Sequence, residues 1–163
     1  MSIAVFAGTF DPFTLGHLDV VMRAHSRFEK LYVSISWNPA KAKARFTVEE
    51  RMELIRDAVR GIDNVEVTCF EGMLVDYCRS IGADTLLRSL RNASDIDYER
   101  QIETVNLMLD SGIETVYLLS KPEYAYISST LVRSLMDLDI SIKELVPNAE
   151  HQIIINKLHG GNN

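Results

Sequence analysis

Nowhere does the chain carry an unbroken apolar run long enough to cross a bilayer, so no membrane-spanning segment is expected. Its first residues, Met1-Ser2-Ile3-Ala4-Val5-Phe6, put no basic stretch ahead of the first apolar segment, which predicts no signal peptide and a cytoplasmic location. Cysteine is nearly missing: the two present, Cys69 and Cys78, have no metal-ligand spacing with a histidine pair and are expected as small core residues. Cations are scarce as well. With 17 Lys and Arg against 23 Asp and Glu the net charge is −6, too negative for the broad basic face that nucleic-acid binding needs. The few cations must be used locally, and they cluster as Lys41, Lys43 and Arg45, then Arg88 and Arg91, then Arg133. Repeats, low-complexity runs and interdomain linkers are also lacking. One domain is therefore expected over 1–158, with a disordered tail at 159–163.

What is present begins with the apolar run Ile3 to Ala7, which breaks into Gly8-Thr9-Phe10-Asp11-Pro12 and then Thr14-Leu15-Gly16-His17. This reads as strand, turn and helix start. Such a junction aims the last N–H groups of the strand and the first of the helix into one crevice, which suits phosphate. Gly8 and Gly16 are expected to let the backbone turn or approach a ligand closely. His17 then stands at a helix N-terminus facing an anion, where the helix dipole lowers its pKa and a bound polyphosphate raises it.

The rest of the chain alternates. Leu18, Val21, Ala24 and Phe28 recur at helical spacing, and Leu31 to Ser36 reads as a second strand, so the first units form a βαβ crossover with parallel strands. Thr47-Val48-Glu49-Glu50 is a capping box opening a helix whose buried stripe is Met52, Ile55 and Val59. Strands follow at Val65 to Cys69, Thr85 to Arg88 and Thr115 to Leu119, with helices at Leu74 to Ile81, stopped by Gly82, and at Ile96 to Leu109. Tyr98, Ile102, Val105 and Leu109 are the stripe expected of the latter, and Leu131, Leu135 and Leu138 that of a last helix opened by Ser128, Ser129 and Thr130. The fold class is α/β: a single-domain, Rossmann-like, doubly wound fold with a five-stranded parallel sheet and helices on both faces.

Loops at one sheet edge thus carry a Thr–His turn, a lysine, an arginine pair and a hydroxyl triplet. No nucleophile with an adjacent base, no matched carboxylate pair and no zinc cluster accompanies them, which disfavours hydrolysis through a covalent intermediate. Direct phosphoryl or nucleotidyl transfer, which depends on positioning and charge stabilisation, fits this inventory.

The run Gly8-Thr9-Phe10-Asp11-Pro12 with Thr14, Gly16 and His17 resembles the T-x-G-H signature of the nucleotidyltransferase superfamily. From Ile3 to about Leu158 the chain resembles the bacterial phosphopantetheine adenylyltransferase family. The resemblance is carried by Lys41, Phe46-Thr47-Val48-Glu49-Glu50-Arg51, Arg88 to Arg91, Asp97-Tyr98-Glu99 and Tyr124 to Thr130. It implies transfer of the adenylyl group of ATP to 4′-phosphopantetheine, giving dephospho-coenzyme A and pyrophosphate. By that resemblance Thr9, Lys41, Leu74, Arg88 and Asn106 meet the acceptor. ATP meets Thr9, Phe10, His17, Ser89, Leu90, Arg91, Glu99, Tyr124, Ala125, Tyr126, Ile127, Ser128, Ser129 and Thr130. The catalytic set is His17, Thr9, Lys41 and Arg91. The resemblance further implies that Mg²⁺ is delivered with ATP, with no dedicated protein ligands expected, that coenzyme A is a candidate feedback inhibitor, and that the chain assembles as a homohexamer.

The chain departs from the family pattern at Phe6, Ala7, Ser89, Tyr124, Thr130 and Arg133 without losing a charged contact. Ser89, where glycine is usual, is expected at negative φ. The Ile127 to Arg133 run also resembles mononucleotide adenylyltransferases for nicotinamide or nicotinate, the alternative enzyme reading, although Thr14 stands where they usually have His. A catalytically silent nucleotide-binding domain is the alternative from another class, and intact Thr9, His17, Lys41 and Arg91 speak against it.

Overall fold

In the computed structural model, which describes residues 2–38, 44–110 and 112–159, five strands form one parallel sheet in the order β3-β2-β1-β4-β5. They are β1 (Ile3–Gly8), β2 (Lys30–Trp37), β3 (Val65–Glu71), β4 (Thr85–Leu90) and β5 (Glu114–Leu119). Around them lie α1 (Leu15–Ala24), α2 (Val48–Ala58), α3 (Leu74–Ile81), α4 (Ala93–Leu109), α5 (Ser129–Asp137) and α6 (Gln152–His159). Alternation along the central strand explains the double winding. Ala4 and Phe6 of β1 pack with Val20 and Val21 of α1 and Ile55 of α2, while Val5 and Ala7 face the other way onto Val75 and Cys78 of α3. The order reverses between β1 and β4, so the crevice at the carboxyl ends of those strands is the switch point at which this class of sheet takes ligands. No helix among the described residues is long and apolar enough to cross a membrane.

Local signals set most boundaries. Thr47 and Glu50 close the reciprocal cap of α2, and Gly82 ends α3 in the left-handed conformation at φ +70°. Other expectations are corrected. The first helix stops at Ala24 and gives way to a 3₁₀ turn at His25–Arg27, so Phe28 lies outside it. Arg51, Leu54 and Ile55 are the buried residues of α2, with Val59 just beyond it and Met52 only half-buried.

On α5 the buried pair is Val132 and Met136, one position on from the expected stripe, and Leu138 is exposed. Leu131 and Leu135 are half-buried. Most of the expected stripe of α4 faces outward: Tyr98 is 65% exposed and Val105 and Leu109 are exposed too, whereas Ile102 is half-buried and Glu99 is the one residue of this helix that is buried. Cys78 is in the core, where burial pushes its thiol up to about 11. Cys69 is exposed, because near the carboxyl end of β3 it lies beyond the buried Val67 of the same face and opens onto a cavity. Helix α6 was not expected at all, and it packs Ile154 into a third cluster with Phe46, Leu54, Val132 and Met136. Lys41, Lys43 and the tail residues 160–163 lie outside the described residues.

Candidate active site

The turn after β1 is built by packing rather than by glycine freedom. Phe10 takes the left-handed φ of +49°, at a cost of about 1–2 kcal/mol, and its buried ring fills the place beside Gly8. A Cβ on Gly8 would stand 2.9 Å from that ring, so the absent side chain serves Phe10 and not a ligand. Phe10 and Phe13 enclose His17, edge-on at 5.0 Å and stacked at 5.4 Å between ring centres. The phenyl of Phe10 is thus sealed in the core, and only its backbone is left to meet substrate.

His17 is the third residue of α1 and completes a capping box with Thr14. The Thr14 N–H donates to His17 Nδ1 at 3.0 Å, so the neutral ring carries its proton on Nε2. Burial first, and then the charge of Arg91, hold the His17 pKa down to about 4. A neutral imidazole with a free Nε2–H is the state this site maintains at neutral pH.

A pocket of 440 Å³ brings His17 together with Ser89 and Arg91 from the end of β4, and with Tyr124, Ile127, Ser128, Ser129 and Thr130 ahead of and within α5. Ser128 caps α5 by accepting from the Leu131 N–H, the Ser129 hydroxyl donates to the Pro12 carbonyl, and the Thr130 hydroxyl accepts from Arg133. The Ser129 hydroxyl proton is therefore committed to the fold, whereas Ser128 and Thr130 only accept and keep their O–H donors. Besides those two hydroxyl protons the triplet offers a ligand the N–H groups of Ser129 and Thr130, which, like that of Gly16 on α1, have no partner inside their helices. Two helix N-termini and a guanidinium converge on this one pocket, an arrangement that favours negative charge.

Asp95, unexpected from the sequence, accepts the Arg91 N–H at 2.9 Å and lies 3.5 Å from its guanidinium, orienting it. The Asn92 cap three residues ahead of Asp95 is the local signal for it. Ser89 lies in β4 and is not among the residues at positive φ. Ser89→Gly is accordingly expected to shift ATP affinity by less than about tenfold, under 1.4 kcal/mol, without a gain in melting temperature. Equilibrium ATP binding and a thermal melt of the two proteins check it.

The other expected residues are distributed differently. Leu74, Arg88 and Asn106 meet in a narrow cleft of 20 Å³ on the α3–α4 face, together with Glu99. Glu99 grips Arg88 with both oxygens, at 2.8 Å each, and Arg88 also donates to the Ala7 carbonyl. Glu99 is thus a partner of Arg88 here and does not line the His17 pocket. Three of the five Arg88 donors are taken, leaving one each on Nη1 and Nη2 for a ligand. Thr9 opens onto a third cavity of 660 Å³ toward α2. Leu90 is buried, Tyr126 is exposed, and neither it nor Ala125 lines any of these three spaces.

Comparison with known proteins gives the family and the fold. The cytidylyltransferase-like family model matches residues 5–135. A phosphopantetheine adenylyltransferase from Caldanaerobacter subterraneus subsp. tengcongensis is 38% identical over 96% of this chain and 98% of its own length. One from Limosilactobacillus reuteri is 46% identical over 90% of this chain and 84% of its own. Among solved structures, a bifunctional NMN adenylyltransferase/ADP-ribose pyrophosphatase from Francisella tularensis, in complex with AMP and a manganese ion, superposes with a TM-score of 0.68. At 15% identity, over 99% of this chain and 53% of that longer one, it shares the fold. With the T-x-G-H turn and the parallel sheet in place, the chain belongs to the cytidylyltransferase-like nucleotidyltransferases and, within them, to the phosphopantetheine adenylyltransferases.

Proposed function

We propose that the protein transfers the adenylyl group of ATP to 4′-phosphopantetheine, forming dephospho-coenzyme A and releasing pyrophosphate. The observation that carries this reading is the pocket where the α1 and α5 N-termini, Arg91 and the Nε2–H of His17 converge, in a chain of this family. An acceptor phosphate oxygen attacks the α-phosphorus in line, the new O–P bond forms, and the bond to the β-phosphate oxygen breaks. His17 donates from Nε2 to the charge developing on the α-phosphate, and Arg91, oriented by Asp95, balances the departing pyrophosphate. No residue has to accept a covalent adenylate.

Magnesium is proposed to come with ATP and to neutralise its phosphates. Assembly into an oligomer of like chains is proposed on the apolar surface of α4 and β5, where Tyr98, Val105, Met108 and Leu119 are exposed.

Pyrophosphate release from ATP with 4′-phosphopantetheine, with nicotinamide mononucleotide, and with neither tests the reaction. Turnover is expected with the first acceptor alone, and equal turnover with the second defeats the reading. Lys41→Ala is expected to raise the acceptor KM or lower kcat while the ATP dissociation constant stays nearly unchanged. A selective ATP-binding defect would move Lys41 to the nucleotide side.

A further inference from the structure

Helix α1 buries a carboxylate that the reaction described above does not use. Asp19 is 8% exposed, the one charged residue among the buried residues of that helix. Two positions on from His17, its side chain leaves the helix roughly 200° further round, and it takes no part in lining the His17 pocket. Any effect it has there passes through its partners. Asp19 Oδ2 accepts from Arg23 Nε at 2.9 Å and lies 2.8 Å from Nη2, while Oδ1 lies 3.4 Å from the Nζ of Lys121. Arg23 Nη2 also donates to the carbonyl of Leu119, the last residue of β5, at 2.8 Å. One buried carboxylate thus ties α1 to the carboxyl end of β5 and to Lys121.

The segment held in this way is a wall of the pocket, where Ser120 and Tyr124 line it together with Gly16 and His17. The Ser120 N–H donates to the Leu90 carbonyl at 2.8 Å, which carries the β4–β5 pairing one step further. Lys121 then opens a 3₁₀ turn at Pro122–Tyr124 and accepts the Tyr124 N–H at 2.9 Å, and the Tyr124 carbonyl accepts the Ile127 N–H at 3.0 Å. From Ile127 the chain runs straight into the Ser128 cap of α5. Nearer the pocket the same connection meets α1 by packing. A Cβ on Gly16 would stand 3.7 Å from the Tyr124 carbonyl oxygen, and Leu15, Tyr124 and Ile127 share one apolar cluster. Apolar contact is non-directional and leaves the connection free to slide along α1, whereas the directed, charge-assisted bonds of Asp19 fix its register.

We propose that Asp19 is a positioning residue for the nucleotide: by fastening the end of β5 and Lys121 to α1, it sets the spacing between the α1 and α5 N-termini to which the phosphates of ATP must fit. The place of ATP in this pocket rests on the reaction proposed above; the fastening itself does not. The cost of losing it falls on the nucleotide rather than on the acceptor, because neither Asp19 nor its two cations touch the cleft of Leu74, Arg88 and Asn106 or the cavity beside Thr9.

Removing the carboxylate strands no buried charge, since the side chains of Arg23 and Lys121 are 30% and 48% exposed and reach water. The full-length parent, Asp19→Ala, Asp19→Asn, Lys121→Met and Arg23→Met are compared by ATP calorimetry, by pyrophosphate release and by thermal melts, the first two well below every melting temperature. Asp19→Ala is expected to raise the ATP dissociation constant and KM by about tenfold, with the 4′-phosphopantetheine KM within about twofold of the parent. Asp19→Asn, which still accepts from Arg23 but offers Lys121 no charge, should fall between them. Lys121→Met removes only a half-exposed ion pair and should cost no more than about fivefold in ATP affinity. Asp19→Ala combined with Arg23→Met should lose less than the product of the two single effects, because both break one fastening. ATP constants within twofold of the parent in Asp19→Ala, with or without a lower melting temperature, would overturn the proposal, and so would an equal loss for ATP and acceptor. Should Asp19→Ala not fold, Arg23→Met decides in the same terms. If ATP binding depends on Asp19 but the parent releases no pyrophosphate, the reaction fails and the positioning stands. Release with ATP binding indifferent to Asp19 has the opposite meaning.

Discussion

His17→Ala is expected to lower kcat by about 10²–10³-fold, some 2.7–4 kcal/mol of transition-state stabilisation, while the ATP dissociation constant changes far less. The size follows from how the ring is held. Phe10 and Phe13 fix its plane, and the Thr14 N–H occupies Nδ1 at 3.0 Å, so the Nε2–H is oriented before the nucleotide arrives. A donor that needs no reorganisation in a partly water-excluded pocket favours the charge that develops at phosphorus over the charge already present on ATP. Pyrophosphate release combined with equilibrium ATP binding separates the two contributions. A loss of ATP affinity in proportion, with kcat intact, would assign His17 to the ground state.

The same enclosure predicts the pH behaviour. With its folded pKa at about 4, His17 stays neutral through pH 6.5, so kcat/KM is expected to show no inflection there that His17→Ala removes. For stability the sign is that of a depressed base. The unfolded chain takes up the proton first, so the contribution is complete above pH 6.5 and is lost as pH falls from 6.5 toward 4. Acid titration of the unfolding free energy should be flatter across that window in His17→Ala than in the parent.

The site's position was legible in the sequence because the signals were local: the strand-to-helix junction at Gly8 to His17, the Thr47–Glu50 cap and the glycine stop at Gly82. What failed was periodicity taken alone. The spacing of Tyr98, Val105 and Leu109 describes an apolar face correctly, but spacing does not say what covers it, and in the single chain nothing does. In Leu131-Val132-Arg133-Ser134-Leu135-Met136 two adjacent apolar rows compete, and the smaller Val132 with the flexible Met136 wins the core over the leucines. Ile153-Ile154-Ile155 has no helical period, so α6 gave no signal. The Glu99 grip on Arg88, the Thr9 carbonyl on Arg51 and the Asp11 contacts join distant segments, which only tertiary structure brings together.

Asp11→Ala is expected to destabilise the fold by about 3–5 kcal/mol, a large share of the roughly 5–15 kcal/mol that holds a domain of this kind together. Its buried carboxylate accepts the Arg45 N–H through Oδ2 and the Phe46 N–H through Oδ1, both at 2.9 Å, and lies 3.9 Å from the guanidinium of Arg133. Arg133 also donates to the Asp11 carbonyl at 2.6 Å. One side chain therefore ties the turn after β1 to the segment entering α2 and to α5. A buried ionised group is often replaceable by an apolar one at little cost, but that holds when its partners are replaced with it. Here two partners are backbone N–H groups, which no substitution at position 11 removes, and each is left unsatisfied at about 1–3 kcal/mol. Asp11→Asn, which keeps one acceptor oxygen and turns an NH₂ toward the other donor, should fall between the parent and Asp11→Ala. Urea unfolding of the three proteins checks the order, and a loss below about 1 kcal/mol in Asp11→Ala would mean that water reaches these amides and the clamp carries little of the fold.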